Sequence, residues 1–175
     1  MDKKALQQAI KACVINDIYL RGTSVRIESD FDPVQNSDPL DIQYKVTAMQ
    51  YVLGDVADAP VHHVLRVRVE TGLRYLTRSG ANDNEKSSSV VAEVEATFIA
   101  QYTIADEAAP SDECLKEFSR LNAPYHVWPY WREYAHDLCG RHRLPVVVLP
   151  MLTVDQLENS ISADPPAKVD LVESD

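Results

Sequence analysis

Between residues 14 and 98 the chain alternates apolar and polar side chains in four successive segments, with no helical spacing between them. An extended chain points neighbouring side chains to opposite faces, so a period of two marks a strand with one buried and one wet face. The first segment covers roughly residues 14–28 and is interrupted at Gly22, where a bulge or bend is expected. The second sets Leu40, Ile42, Tyr44, Val46 and Ala48 against Asp41, Gln43, Lys45 and Thr47. The third opposes Leu65, Val67 and Val69 to Arg66, Arg68 and Glu70, then runs on toward Leu73 and Tyr75. In the fourth, Val94, Ala96 and Phe98 face away from Glu93, Glu95 and Thr97. Half-wet strands build antiparallel sheets, whereas a parallel sheet needs buried strands separated by helices.

Helical patterns come only after the strands. Residues 111–121 offer Ser111 as an N-cap, with Leu115 and Phe118 spaced for one face. A second helix is expected to begin at Pro129, since a first-turn proline forfeits no hydrogen bond. Trp131, Tyr134, Ala135 and Leu138 then follow at helical spacing as a face for packing on the sheet. Gly140 weakens its end, Arg141, His142 and Arg143 suit the negative pole, and Pro145 stops it. A short third helix is expected from Thr153, with Asp155 and Glu158 near its start. The fold class is therefore α+β: a four-stranded antiparallel sheet followed by two C-terminal helices packed on one face. Residues 54–60 and 79–89 have loop composition. The longer link at residues 29–39 contains Phe31 and Val34, which suggests that it packs onto something. Residues 1–160 form one domain on this reading, and the acidic, Pro-containing stretch 161–175 is expected to be disordered.

Charge narrows the partners. Residues 1–80 hold ten acidic and ten basic side chains, so the formal charge of −10 resides wholly in the second half. Such a balance repels phosphate backbones and argues against nucleic acid. No apolar run is long enough for membrane insertion. Gln7, Gln8, Lys11, Asn16 and Asp17 interrupt any signal-peptide core, so a cytoplasmic location is expected. Cys13, Cys114 and Cys139 are odd in number and lack paired spacing, which fits buried thiols.

Catalytic signatures are weak. His62 and His63 precede the third strand without an acid or nucleophile beside them. His136, Cys139 and His142 share a helix, but at neither i,i+4 nor zinc-finger spacing. Glu93 and Glu95 share a strand face and read as solvated. No catalytic, cofactor or metal site is expected, and the chain reads as a non-enzyme.

The pattern Pro129-Tyr130, Arg132-Glu133, Arg141 and Leu144-Pro145 resembles the helix of SecB, the bacterial protein-export chaperone. The order of strands, the long first loop, the late helices and the acidic tail are similar to SecB across about residues 10–160. Ile18-Tyr19 and Val64-Leu65-Arg66-Val67 also look like the family's strand sequences. The resemblance implies an ATP-independent holdase that keeps unfolded or precursor polypeptides competent for export or assembly. It also implies a homotetramer built as a dimer of dimers, with apolar grooves beneath the first crossover loop and beside the final helix. Where SecB carries acidic residues for delivery to the motor SecA, this chain has Gly22 and Arg26, with Arg66, Arg68 and Arg74 on strand three. That departure weighs against SecA as a partner. It keeps open a SecB-like chaperone dedicated to one partner, such as an antitoxin.

Unfolded segments offer apolar side chains in no fixed order, so a site for them needs several shallow anchors. The groove residues expected are Phe31, Val34, Leu40, Ile42, Tyr44, Tyr125 and Trp128, and Leu115 and Phe118 are expected at the interface between copies. The rival from another class is a hot-dog-type thioesterase. That fold needs its main helix early and an acid on it, whereas here the strong helices come last and Glu133 is the sole attractive acid.

Overall fold

The computed structural model describes residues 3–55, 63–79, 87–104, 109–153, 156 and 166–169. Helix α1 (Lys3–Ala12) leads without a break into β1 (Cys13–Ile27), followed by β2 (Leu40–Asp55), β3 (His63–Ser79) and β4 (Ser87–Ile104). Helix α2 (Asp112–Arg141) comes next, and β5 (Ala167–Lys168) is a short final strand. The sheet order is β1-β4-β3-β2-β5. The first four strands pair antiparallel, and β5 adds to β2 in parallel. The sheet is thus five-stranded and mixed, not four-stranded and antiparallel. A two-residue strand carries no alternation to read, and its pairing depends on an open β2 edge.

Two irregularities set which side chains face inward. The β1–β4 register shifts between Leu20 and Gly22, at the glycine where a bulge was expected. A second shift between Ala48 and Gln50 puts Tyr51, three residues after Ala48, back on the buried face. Inward-facing Leu65, Val67, Val69, Leu73 and Tyr75 of β3 and Val94, Ala96, Phe98, Ala100 and Tyr102 of β4 form the floor of the core. α1 packs mainly against α2, burying Leu6 and Ala9. This helix was not expected from the sequence, although it is strongly amphipathic and sets Leu6 and Ala9 on one face.

The two late helices expected from sequence are one helix of 30 residues, with Pro124 and Pro129 inside it. These prolines cannot donate to the carbonyls of Arg120 and Tyr125, at a cost of about 3 kcal/mol each. The buried stripe Leu121, Pro124, Val127, Trp128, Trp131 and Ala135 continues straight through them and offsets that cost. Ser111 caps the N-terminus as expected, its hydroxyl accepting from the Cys114 amide at 3.4 Å. At the other end Leu144 N–H donates to Cys139 (2.9 Å) and Arg143 N–H to Gly140 (3.2 Å). This is a Schellman ending with Arg143 in the left-handed position (φ 56°) that glycine usually fills.

Residues 144–153 then run back along α2. Leu144 and Leu149 are buried, the Tyr75 hydroxyl donates to Pro145 (2.7 Å), and Arg132 Nε donates to Leu149 (2.8 Å). Thr153 and Gln156 exchange side-chain to backbone hydrogen bonds at 2.9 and 3.3 Å. That reciprocal pair has the pattern of a capping box, and the rest of the short helix expected from Thr153 lies outside the described residues. Asp155, Glu158, His62, most of the loops at 54–60 and 79–89 and most of the stretch 161–175 lie outside the described residues. Within that stretch, residues 166–169 are described, Pro166 is buried and β5 is paired.

The outer face is held by ion pairs across strands. Glu93 accepts from Arg26 of β1 (3.3 Å) and from Arg74 of β3. Lys45 of β2 reaches across β3 to Glu95 of β4 (2.6 Å). Gly72 makes that reach possible, since a Cβ there would stand 2.7 Å from Lys45 Cε. Glu93 and Glu95 therefore serve as partners for three cations, and Glu93 is the more enclosed of the two.

Candidate functional site

The helices do not cover the whole inner face of β2. Val46 and Ala48 are buried, but Ile42 is 40% and Tyr44 46% exposed, and Leu40 is half-buried. All five share one face by the strand's period of two. The first half of β2 is therefore an apolar shelf open to solvent beside α2.

Trp128 backs the shelf. It is only 2% exposed, and its ring centroid lies 5.6 Å from that of Tyr44 at a 50° tilt. Its indole N–H donates to the Pro150 carbonyl at 2.8 Å, which locks the ring against the returning segment. Trp128 is thus a wall of the site with little surface left to offer. Tyr125, one helical turn earlier on α2, is 42% exposed. The crossover loop supplies Phe31, half-buried against the core, and Val34, 63% exposed. Asp32 shapes this loop by accepting from the amides of Val34 (2.9 Å) and Gln35 (3.3 Å).

Of the expected groove residues, the structure joins Tyr44 to Trp128 directly and sets Leu40 and Ile42 on the same strand face. Leu115 and Phe118, expected between copies, are each 1% exposed inside the chain's own core. Phe118 packs edge-on against Tyr102 at 4.9 Å. Their helical spacing marks a buried face in either case, and here the sheet already covers it. At the β1 edge of the sheet, exposed apolar side chains include Ile10 of α1 and Val14, Ile15 and Leu20 of β1.

The returning segment was missed as a site element. Val146, Val148 and Met151 are exposed, and Val147, Val148 and Leu149 line a shallow groove with Pro129, Arg132, Glu133 and His136 of α2. The apolar run 146–149 was the available signal, but apolar character alone does not separate a strand from an extended strap.

Titration properties do not point to a nucleophile. Burial pushes the Cys13 thiol up to about 12 and raises the Cys139 thiol as well. Burial also holds the His126 imidazole below its ordinary range, with the Tyr102 hydroxyl 3.0 Å from its Nδ1. Among the described residues, no group of three or more His, Cys, Asp or Glu side chains could hold a metal ion. No helix among them is long and apolar enough to cross a membrane.

No family model matches the chain. It is 28% identical over 105 residues to the SecB-like chaperone MT2006 of Mycobacterium tuberculosis, covering 55% of this chain and 58% of that protein. To the SecB-like chaperone Rv1957 of the same species it is 23% identical over 128 residues, covering 71% of this chain and 62% of that protein. The chain thus spans less than two thirds of the curated relatives it matches. A solved structure of the Mycobacterium tuberculosis Rv1957 SecB-like chaperone, in complex with a ChAD peptide from the Rv1956 HigA1 antitoxin, superposes with a TM-score of 0.61. That match is 22% identical in sequence and covers 86% of this chain and 98% of that one. The fold is SecB-like. Sequence and fold together support a SecB-like family for this chain.

Proposed function

We propose that this protein is an ATP-independent holdase that binds unfolded or precursor polypeptides along the β2 shelf. The carrying observation is the uncovered inner face: Ile42 and Tyr44 stand on the core side of the sheet yet remain 40% and 46% exposed. Apolar side chains on the core side of a sheet are normally covered, so an open stretch there is an interaction surface. Tyr125 and Val34 extend it with further exposed anchors, and Trp128 gives it a rigid wall. The peptide-bound SecB-like relative supports a polypeptide as the ligand. The working unit is a cytoplasmic homotetramer, a dimer of dimers. Exposed Ile10, Val14, Ile15 and Leu20 along α1 and the β1 edge favour association there over the buried Leu115 and Phe118.

A second reading, a chaperone dedicated to one partner such as an antitoxin, is favoured by the outer face. Arg26 and Arg74 flank Glu93 there, and Gly22 and Arg26 stand where the resemblance to SecB implies acidic residues for delivery to SecA. The test is suppression of aggregation of a slowly refolding polypeptide without nucleotide, with identification of the chains that co-purify from the native cell. Suppression without ATP is the expected result. A need for ATP, or no suppression at fourfold excess, refutes the holdase reading. Many bound precursors would favour a general role, and one dominant small partner the dedicated one.

A further inference from the structure

We propose that the outer edge of β2 is a strand-docking site whose resting occupant is the chain's own segment 166–169, and that an extended polypeptide must displace this segment to bind along the full edge. The proposal rests on the holdase reading above and adds a built-in competitor to it.

β2 lies outermost among the four long strands on the side opposite β1, so it presents a row of backbone N–H and C=O groups. β5 satisfies part of that row, pairing Ala167 with Gln50 and Lys168 with Tyr51 in parallel. The Val169 amide donates to the Tyr51 carbonyl at 3.0 Å. Pro166 is buried immediately before the strand. Lys168 Nζ sits 3.0 Å from the Asp112 carboxylate in the first turn of α2, and this contact holds the Asp112 carboxyl below the ordinary carboxylate range.

Beyond the buried Pro166, the grip is weak and largely independent of side-chain identity. Ala167, Lys168 and Val169 are exposed, and the ion pair is solvent-screened, with its side chains 46% and 55% exposed. What holds the segment is mostly backbone pairing, which any extended chain can reproduce. The occupied positions also lie on the strand that bears the shelf. From Tyr44 to Gln50 is six residues, about 20 Å of extended chain. A bound polypeptide running from the shelf along the edge therefore reaches Gln50, where two strands cannot share one set of backbone groups. Binding is weakened by the fraction of time the segment is docked, and releasing the segment restores the lost affinity.

The experiment compares the full chain with a version ending at residue 165, titrating each into a fluorescein-labelled, permanently unfolded polypeptide. Truncation is expected to tighten binding roughly three- to tenfold, with little change in melting temperature. A full-length Lys168→Glu variant, which sets two carboxylates against each other, should show part of the same gain. The charge swap Lys168→Glu/Asp112→Lys should return affinity toward the parental value. Hydrogen exchange supplies a readout separate from affinity: adding the unfolded chain should deprotect the Val169 amide while β2 stays protected. If the full chain binds the probe and truncation leaves affinity unchanged or weaker, the docked segment is no competitor and the proposal is overturned. If neither form binds, the holdase reading fails and this proposal goes with it.

Discussion

Replacing Tyr44 with serine tests the shelf most directly. Tyr44 is 46% exposed, and its ring leans on Trp128 at 5.6 Å. An aromatic side chain buries roughly 150–250 Å² when fully covered, so about 70–115 Å² remains for a ligand to cover. At about 25 cal/mol per Å² that is worth about 2 kcal/mol, near thirtyfold in affinity. Ile42→Thr is a gentler companion, because threonine keeps the β-branch that suits a strand. Full burial of an isoleucine is worth about 1.5–3 kcal/mol, and Ile42 leaves 40% exposed. Its ligand-facing share is about 1 kcal/mol, so roughly a three- to eightfold loss is expected. Both variants also give up contacts inside the chain, so melting temperature should fall by several degrees without loss of cooperativity. Val34→Ser, on a loop position 63% exposed, controls for the fold and should leave melting nearly unaltered. Fluorescence anisotropy with an unfolded labelled chain gives the affinities, and circular dichroism the melts. A Tyr44→Ser protein that melts cooperatively and binds within twofold of the parent refutes the placement of the site on β2.

Other substitutions address the frame that carries the shelf. Phe118→Ala should cost about 3–5 kcal/mol in urea unfolding while light scattering shows an unchanged mass, since Phe118 is 1% exposed within one subunit. A drop in mass without loss of subunit stability would return it to an interface. Gly140→Ala should raise stability by up to about 1 kcal/mol, because a Cβ there meets nothing within 4 Å in the last helical turn. Arg143→Gly should add a similar amount by relieving a left-handed non-glycine residue, and thermal melts of each variant check both. Stability should also decline on acidification. Burial lowers the His126 pKa from its ordinary 6.5, so near pH 6 the unfolded chain binds more protons than the folded one. Its contribution is full above about pH 6.5 and is lost as pH falls from there through the lower folded-state pKa, so His126→Gln should flatten the fall of the unfolding midpoint below pH 7.

Local pattern was enough for much of this architecture. Leu65, Val67 and Val69 alternate with Arg66, Arg68 and Glu70, and the structure buries the first set and exposes or half-exposes the second. A strand's period of two is a property of the backbone, so it survives any packing arrangement. Gly22 and Ser111 likewise act within a few residues of themselves, as bulge and cap. Where neighbours far along the chain decide the outcome, sequence alone was insufficient. Pro129 signalled the start of a second helix, but a continuous apolar stripe against the sheet keeps α2 whole. Leu115 and Phe118 displayed an apolar face, and only the tertiary structure showed that the chain covers it with its own β4 and leaves Ile42 and Tyr44 open instead. The sequence by itself determined which side chains are apolar and how they alternate; tertiary structure decided which of them are covered, because coverage depends on where α2 and the returning segment end relative to β2.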